Sequence, residues 1–173
     1  VIHTEHDAWH LQSTRRRHVQ NAAISLVRPV LVADAPHVAA NAMTFLPGRD
    51  YQTVLNGIDC ERFVPGNKIA ARTELRLPTK VTLIGCSARL ELVKGVDNLV
   101  NALAHLPNDI HLAVAGQGSQ RDELIDLAEK LDILERVHLI GHVDDMPRFY
   151  QSLDLFCLPS RNEGLPLSPL EAQ

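Results

Sequence analysis

From about residue 80 onward the chain alternates short runs of β-branched and apolar residues with stretches whose apolar positions recur at helical spacing. No other feature restricts its fold as strongly. Strand and helix in regular alternation build βαβ units, whose right-handed crossovers make successive strands run parallel. Residues 80–86 (KVTLIGC), 111–115 (HLAVA), 136–140 (RVHLI) and 154–158 (DLFCL) read as four such strands. Between them Val96, Leu99, Val100 and Leu103 fall at i, i+3, i+4 and i+7, a stripe that ends near Leu106-Pro107. Leu124, Leu127, Ala128 and Leu131 repeat the pattern, so each stretch predicts a helix laying one apolar face on the sheet. The strands are nearly continuous in apolar character, which predicts a parallel sheet covered on both faces. Residues 159–164 carry turn chemistry, and Pro169 opens a further helical pattern.

The first 55 residues read as a separate α/β segment: a strand end at residues 1–3, a helix near 12–26, and strands at 29–33 and 51–55. Asn56-Gly57 then forces a turn, and the polar stretch to Pro78, which includes Pro65-Gly66, predicts a linker. The expected division is therefore residues 1–55, a linker at 56–78, and a second domain at 79–173, with few apolar contacts across the linker.

Composition narrows the function. At 45% hydrophobic and 22% charged, the 173-residue chain is an ordinary globular sequence, and a chain of this length buries roughly 70% of its unfolded surface without a metal or disulfide staple. The net charge of −4 argues against a nucleic-acid partner, and the only basic run, Arg15-Arg16-Arg17, reads as a solvated helix face. Cys60, Cys86 and Cys157 are odd in number, widely spaced and without a CxxC pair, which suits free thiols in a reducing compartment. The apolar stretch at residues 24–33 is interrupted by Arg28 and Pro29 and falls short of the ~20 residues that span a bilayer. With no signal-peptide pattern, a cytoplasmic protein is expected; the first residue, Val1, suggests an incomplete one.

Four groups of residues are candidates for chemistry. Glu163 and Glu171 stand eight positions apart on a turn and the helix after it. Carboxylates accept paired hydroxyl hydrogen bonds, so the two suit a ligand rich in vicinal hydroxyls, although spacing alone equally fits two surface glutamates. Between them the amides of Gly164, Leu165 and Leu167 lie at or just before a helix start, where free N–H groups favour a polar or anionic ligand. Arg89 and Lys94 follow the strand at 80–86; a parallel sheet binds its ligand beyond the carboxyl ends of its strands, and a guanidinium fork with a lysine suits a diphosphate. The alternative is a solvated loop with both cations paired to Glu91. Gly116-Gln-Gly118 opens a helix after a strand but has Arg121 where a dinucleotide fingerprint has its third glycine, and it reads as a tight turn. His3, His6 and His10 lack the His-Glu-x-x-His order of a zinc site, so they are either structural or, at a strand end, substrate contacts.

These signals occur together and in order in one family. Residues 54–59 (VLNGID) with Phe63 and Pro65, residues 87–90 (SARL) with Lys94-Gly95, the Gly116-Gln-Gly118 turn, residues 137–141 (VHLIG), Tyr150 and Asp154, Pro159-Ser160, and residues 163–167 (EGLPL) with 170–172 (LEA) resemble glycosyltransferase family 4. The resemblance covers nearly the whole chain. It implies the GT-B fold, part of one Rossmann-like acceptor-side domain followed by most of a Rossmann-like donor-binding domain, and retaining transfer from a nucleotide sugar without a bound metal. The sequence has no Asp-x-Asp; its nearest approach, Asp59-Cys60-Glu61, lies in the expected linker. Carried onto matching positions, Arg89 and Lys94 would hold the donor diphosphate and neutralise the leaving group. Glu163 would bind the donor sugar and Glu171 the ribose, the amides of Leu165 and Leu167 would help at the sugar and phosphate, and Gly164 would be among the donor-binding residues. Gly141 and His142 would lie near the base. The active-site histidine corresponds to His3 or His6, with His6 favoured. The acceptor would be a glycan, a lipid-linked molecule or a small molecule, with peripheral membrane association through segments outside this chain. A complete member is about twice this length, so this chain alone is expected to be inactive. Two rival readings are a two-carboxylate glycosidase using Glu163 and Glu171, which leaves Arg89 and Lys94 without a task, and a sugar-nucleotide or phosphate binding module without turnover. The four residues Arg89, Lys94, Glu163 and Glu171 are expected to converge on one cleft.

Overall fold

A computed structural model describes residues 1–173, which form two compact units: Val1–Gly57 with Glu163–Leu167, and Ile58–Asn162 with Ser168–Gln173. Both are built on parallel sheets, as the alternating pattern requires.

In the first unit, strands β1 (Ile2–Glu5), β2 (Val30–Ala33) and β3 (Gln52–Thr53) pair in that order, connected by helices α1 (Thr14–Val27) and α2 (Pro36–Phe45). The register sets Glu5 against Ala33 and Ala33 against Thr53, so the carboxyl ends of the three strands are level. Leu31 and Ala33 pack with Ile24, Val38, Ala42 and Leu46. Arg15 and Arg16 are exposed on α1, as a solvated basic face requires. Helix α2 was not read from the sequence: its buried positions are Val38, Ala39 and Ala42, and small alanines give little apolar contrast, although Pro36 at its first turn is a start signal.

The second unit orders its four strands β6-β5-β4-β7, where β4 is Thr82–Ser87, β5 Ile110–Ala115, β6 Val137–Gly141 and β7 Leu155–Phe156. The chain moves outward from β4 through α4 (Val96–Leu103), β5 and α5 (Arg121–Lys130) to β6, then returns through α6 (Met146–Gln151) to lay β7 on the other edge of β4. Side chains alternate across the pleat: Cys86, Leu112 and Val114 pack with Val100, Leu103 and Leu124, whereas Leu83, Ala113 and Ala115 pack with Phe149 and Leu77. Both faces are covered, as near-continuous apolar strands demand. Strands β3 and β7 are shorter than the apolar runs that suggested them, two residues each.

The polar stretch at 56–78 differs most from expectation. Its second half forms helix α3 (Lys68–Glu74), capped by Asn67, whose side chain accepts from the Ala70 amide at 3.0 Å. The helix buries Ala71 and Arg72, and Leu77 joins the core against Leu83 and Phe149, so residues 68–77 are part of the second unit's packed body rather than a free connection. The Arg72 guanidinium donates to Ser152 O at 2.7 Å, Val81 O at 2.9 Å and Asp154 Oδ2 at 2.6 Å. Asp154 also accepts from Lys68 and from the Leu83 amide at 2.7 Å. Burial alone would raise the Asp154 carboxyl, but these hydrogen bonds from Lys68, Leu83 and Arg72 outweigh it and hold it down at about 2. Arg72 thus ties α3 to the starts of β4 and β7. Arg72→Ala would take a buried donor from the Ser152 and Val81 carbonyls while leaving Asp154 with Lys68 and the Leu83 amide, and is expected to cost about 1–3 kcal/mol in chemical denaturation, the scale for leaving a buried acceptor unsatisfied; a loss below about 0.5 kcal/mol would refute this role.

On β5 and β6, His111 Nδ1 lies 3.0 Å from His138 Nε2 with the rings stacked 9° from parallel. Burial pushes both imidazoles below the ordinary histidine range, with Arg136 adding to the effect on His111 and His111 to that on His138; Asp109 opposes it at His111. A depressed folded-state value means the unfolded chain takes up protons more readily, so this stability is present above the unfolded value near 6.5 and is lost as pH falls below it. The melting temperature should therefore drop between about pH 7 and 5, and drop less in His138→Phe. Identical pH profiles for the two proteins would count against the account. Asp154 loses its contribution in a separate window, below about pH 4.

Candidate functional site

Because β4 pairs with β5 on one side and β7 on the other, the direction of strand succession reverses at β4, and its carboxyl end is the position where open parallel sheets take their ligands. The loop that leaves this end carries Arg89 and Lys94. Backbone hydrogen bonds hold it to its neighbours: Ala88 N to Ala115 O at 3.0 Å, Leu90 N to Gln117 O at 2.9 Å, and Gln120 N to Leu90 O at 2.9 Å. Gly116, at φ 148°, and Gly118 are required there, because a Cβ on either would collide with the carbonyls of Ala88 and Leu90. The Gly-x-Gly pair is thus a device for close backbone approach. Gly116 N also donates to Gly141 O at 2.7 Å, which joins the ends of β5 and β6. Arg89 is exposed and makes no ion pair with Glu91, which instead accepts from Ser119 Oγ at 3.2 Å. Lys94 ends a single 3-10 turn (Leu92–Lys94) and is half-buried.

A second latch was not anticipated. Arg161, beyond β7, forms a two-pronged pair with Asp97 at 2.7 and 2.6 Å, donates to Leu92 O at 2.6 Å, and its amide donates to Val93 O at 2.8 Å. The Arg161 hydrogen bond lowers the Asp97 carboxyl against the opposing effect of burial. The segment bearing Lys94 is therefore held to the loop after β7. The sequence signal was an arginine inside a turn and an acid in the first turn of α4, 64 residues apart, which no periodicity links.

Glu171 stands on helix α7 (Ser168–Glu171) and accepts from Tyr150 Oη at 2.7 Å; the same Oη lies 2.9 Å from Ser87 Oγ, the last residue of β4. Burial, assisted by the Glu171 charge, drives the Tyr150 phenol well above its ordinary value against a smaller opposing effect of Ser87, so it remains a donor. Tyr150 thereby fixes one oxygen of Glu171 relative to β4. His142 is exposed next to Gly141 and pairs with Asp144 at 3.1 Å.

At the carboxyl edge of the first unit, His6 follows β1, Asp34 follows β2, and Asn56 lies three residues past β3. His6 Nδ1 is 3.1 Å from Asp34 Oδ2, and Asn56 Nδ2 reaches both Asp34 Oδ2 at 3.4 Å and Leu165 O at 2.9 Å. Gly164 sits so close to the His6 carbonyl oxygen that a Cβ would collide with it, and Leu165 packs on the first unit's core. Residues Glu163–Leu167, placed with the second domain by their position in the chain, are for these reasons built into the first unit, whereas Arg89, Lys94 and Glu171 belong to the second. Leu167 immediately precedes α7, but Leu165 does not stand at a helix start. The three histidines also separate: His3 Nε2 binds the buried Glu5 at 2.8 Å, and His10 contacts Gln20 at 3.0 Å and Glu5 at 3.7 Å. The His6 side chain is 71% exposed. Asp34 and Asn56 were not singled out from sequence, although Asp34, a charge directly after an apolar strand, meets the same criterion that drew attention to His6.

Comparison with known proteins agrees with this architecture. Residues 67–173 match the family described as Glycosyl transferases group 1. The chain is 34% identical over 134 residues to the O-antigen biosynthesis glycosyltransferase WclY of Escherichia coli, covering 78% of this chain and 38% of that protein. It is 36% identical over 134 residues to the D-inositol 3-phosphate glycosyltransferase of Mycolicibacterium gilvum, covering 73% of this chain and 30% of that one. A crystal structure of Anabaena Alr3699/HepE in complex with UDP matches with a TM-score of 0.83 at 22% identity, over 99% of this chain and 50% of its own. The chain thus spans well under half the length of these curated relatives. Its parallel α/β units are those of the GT-B fold. With the larger part of its length matched, this chain belongs to the glycosyl transferases group 1 family.

Proposed function

We propose that this chain carries the donor-binding part of a family 4 glycosyltransferase, which transfers a hexosyl group from a nucleotide sugar to an acceptor with retention of configuration. The observation that carries the reading is the exposed, unpaired guanidinium of Arg89 in the loop leaving β4, where the strand order reverses. Its neighbour Lys94 rides on a segment that Arg161 and Asp97 hold in place. A guanidinium fork and an ammonium on a braced loop suit a diphosphate. Support for a nucleotide sugar comes from the family match and from Alr3699/HepE, solved with UDP bound.

In this reading Arg89 and Lys94 bind the diphosphate of the donor. Negative charge on the diphosphate grows as the bond to the sugar breaks, so preorganised cations stabilise the transition state more than the bound donor. Neutralisation of the leaving group is assigned to these two residues rather than to a metal. Glu171, oriented by Tyr150, accepts from the ribose hydroxyls with its remaining capacity. Glu163 and the amides of Gly164 and Leu167 meet the donor sugar, Gly141 and His142 lie toward the base, and His6 meets a sugar hydroxyl. The acceptor is a glycan, a lipid-linked molecule or a small molecule, and turnover belongs to the complete protein, of which residues 1–55 supply part of the acceptor side. Three free cysteines support a reducing, cytoplasmic setting. No helix is long and apolar enough to cross a membrane. A glycosidase built on Glu163 and Glu171 would leave Arg89 without a task.

In the complete enzyme, Arg89→Ala should lower kcat by ~10²-fold or more with a smaller rise in the donor KM, the scale for removing one preorganised electrostatic contact. Glu171→Ala should chiefly raise the donor KM, since ribose hydroxyls change little along the reaction. Steady-state kinetics with donor varied at saturating acceptor checks both, and an unchanged kcat in Arg89→Ala would overturn the mechanism.

A further inference from the structure

The carboxyl edge of the first sheet holds an acid that packing alone does not explain. Asp34 is buried, with only 3% of its surface exposed, yet its Oδ1 has no hydrogen-bond partner in the protein. Its Oδ2 accepts from Asn56 Nδ2 at a long 3.4 Å and lies 3.1 Å from His6 Nδ1. A half-satisfied buried carboxylate is costly, and a strand end occupied only for stability would be better served by an apolar residue or by serine. The cost goes with one geometric result. Asp34 lies under an imidazole that is otherwise largely in solvent, and parallel pairing of β1 and β2 places the two residues one step beyond the paired Glu5 and Ala33, with Asp34 N donating to Glu5 O at 3.2 Å.

An ionised carboxylate only accepts, so the proton in the contact belongs to His6 Nδ1. In the neutral imidazole the other nitrogen then carries none. We infer that Asp34 is a positioning residue for His6: it holds the ring in the Nδ1–H tautomer and turns an unprotonated Nε2 outward as an acceptor for a substrate hydroxyl. Asn56 extends the arrangement, because the amide that braces Asp34 also binds Leu165 O at 2.9 Å and so fixes the Gly164-Leu165 backbone beside the His6 carbonyl. His3 and His10 have other partners, His3 the buried Glu5 and His10 the side chains of Gln20 and Asp7. The tautomer follows from the geometry of this chain; its use toward a substrate hydroxyl rests on the proposed transferase reading.

The two parts have separate tests. In the 173-residue chain, long-range proton–nitrogen NMR correlations of the His6 ring at about pH 8.5, above the ordinary histidine range, report which nitrogen bears the proton. The expected result is Nδ1–H in the native chain and a shift toward Nε2–H in Asp34→Ala, with Asp34→Asn as the volume-preserving variant should the alanine chain not fold. Nε2–H in the native chain, or a tautomer that folded Asp34 variants leave unchanged, overturns the inference. In the complete enzyme, His6→Ala and Asp34→Ala should each lower kcat by ~10-fold or more, the scale for removing a group that orients a ligating histidine, and the double variant should lose little beyond His6→Ala alone. A drop in His6→Ala with none in Asp34→Ala overturns the positioning role. No drop in His6→Ala overturns instead the part of the transferase reading that assigns His6 to substrate, whatever the tautomer.

Discussion

Strand β4 is hydrogen-bonded along both edges and covered on both faces, and the rest of the second unit is arranged around that condition. A parallel strand cannot reach its neighbour through a tight turn, so every partner of β4 arrives by a crossover, and every crossover begins at a carboxyl end. The loops that leave β4, β5 and β6 are thereby gathered along one edge, where their backbones bond to one another through Ala88, Leu90, Gly116 and Gly141. The glycines are needed because peptide planes approach more closely there than a Cβ allows. Backbone pairing at this edge leaves side chains such as Arg89 free to point outward from a rigid frame.

The charged side chains divide by how they are held. Arg72 is buried and spends its guanidinium on two carbonyls and Asp154; Arg136 spends its own on the carbonyls of Leu103, Leu106, Pro107 and Ile110. Arg161 is exposed but committed to Asp97 and Leu92. The task of Arg72 and Arg136 is structural, since a carbonyl-bound cation inside a low-dielectric frame costs far more to release than it offers a ligand, and the guanidinium of Arg161 is already occupied by Asp97. Arg89 differs in being uncommitted at the one edge where such a frame presents ligands. The histidines of the first unit differ in the same sense: His3 is held by Glu5 and His10 by Gln20 and Asp7, whereas His6 contacts Asp34 through Nδ1 and leaves most of its ring in solvent.

Acids that collect several hydrogen bonds mark where each unit joins its elements. Asp154 links α3 to the starts of β4 and β7, Glu5 collects the side chains of β1 and α1, and Asp34 joins the ends of β1 and β2 to Asn56 and, through it, to Leu165. Each gathers two or more donors, but those of Asp34 both fall on Oδ2 and its other oxygen, buried, has none. Evolved cores tolerate such an exception where the arrangement of a neighbouring group is worth more than the stability lost.

By itself the sequence determined the strands and helices with strong apolar periodicity, β4, β5, β6, α4 and α5, and the side of the sheet on which Arg89 and Lys94 would stand, because period and chain direction are local properties. Motifs spread over the chain also pointed to a glycosyltransferase, in agreement with the match to the group 1 family. Short helices were not legible in the sequence, because one to three turns display little periodicity: α2 buries mostly alanine, and α3 and α6 start at the caps Asn67 and Asp145. Only the tertiary structure decided that residues 68–77 pack as core, that Glu163–Leu167 join the first unit through Gly164 and Leu165, and that Asp34 meets His6. It also decided that Tyr150 bridges Ser87 to Glu171 and that Arg161 grips Asp97. The side-chain contacts Asp34–His6, Tyr150–Ser87, Tyr150–Glu171 and Arg161–Asp97 join residues 21 or more positions apart, and their existence depends on parallel register and crossover geometry, which no window of sequence contains.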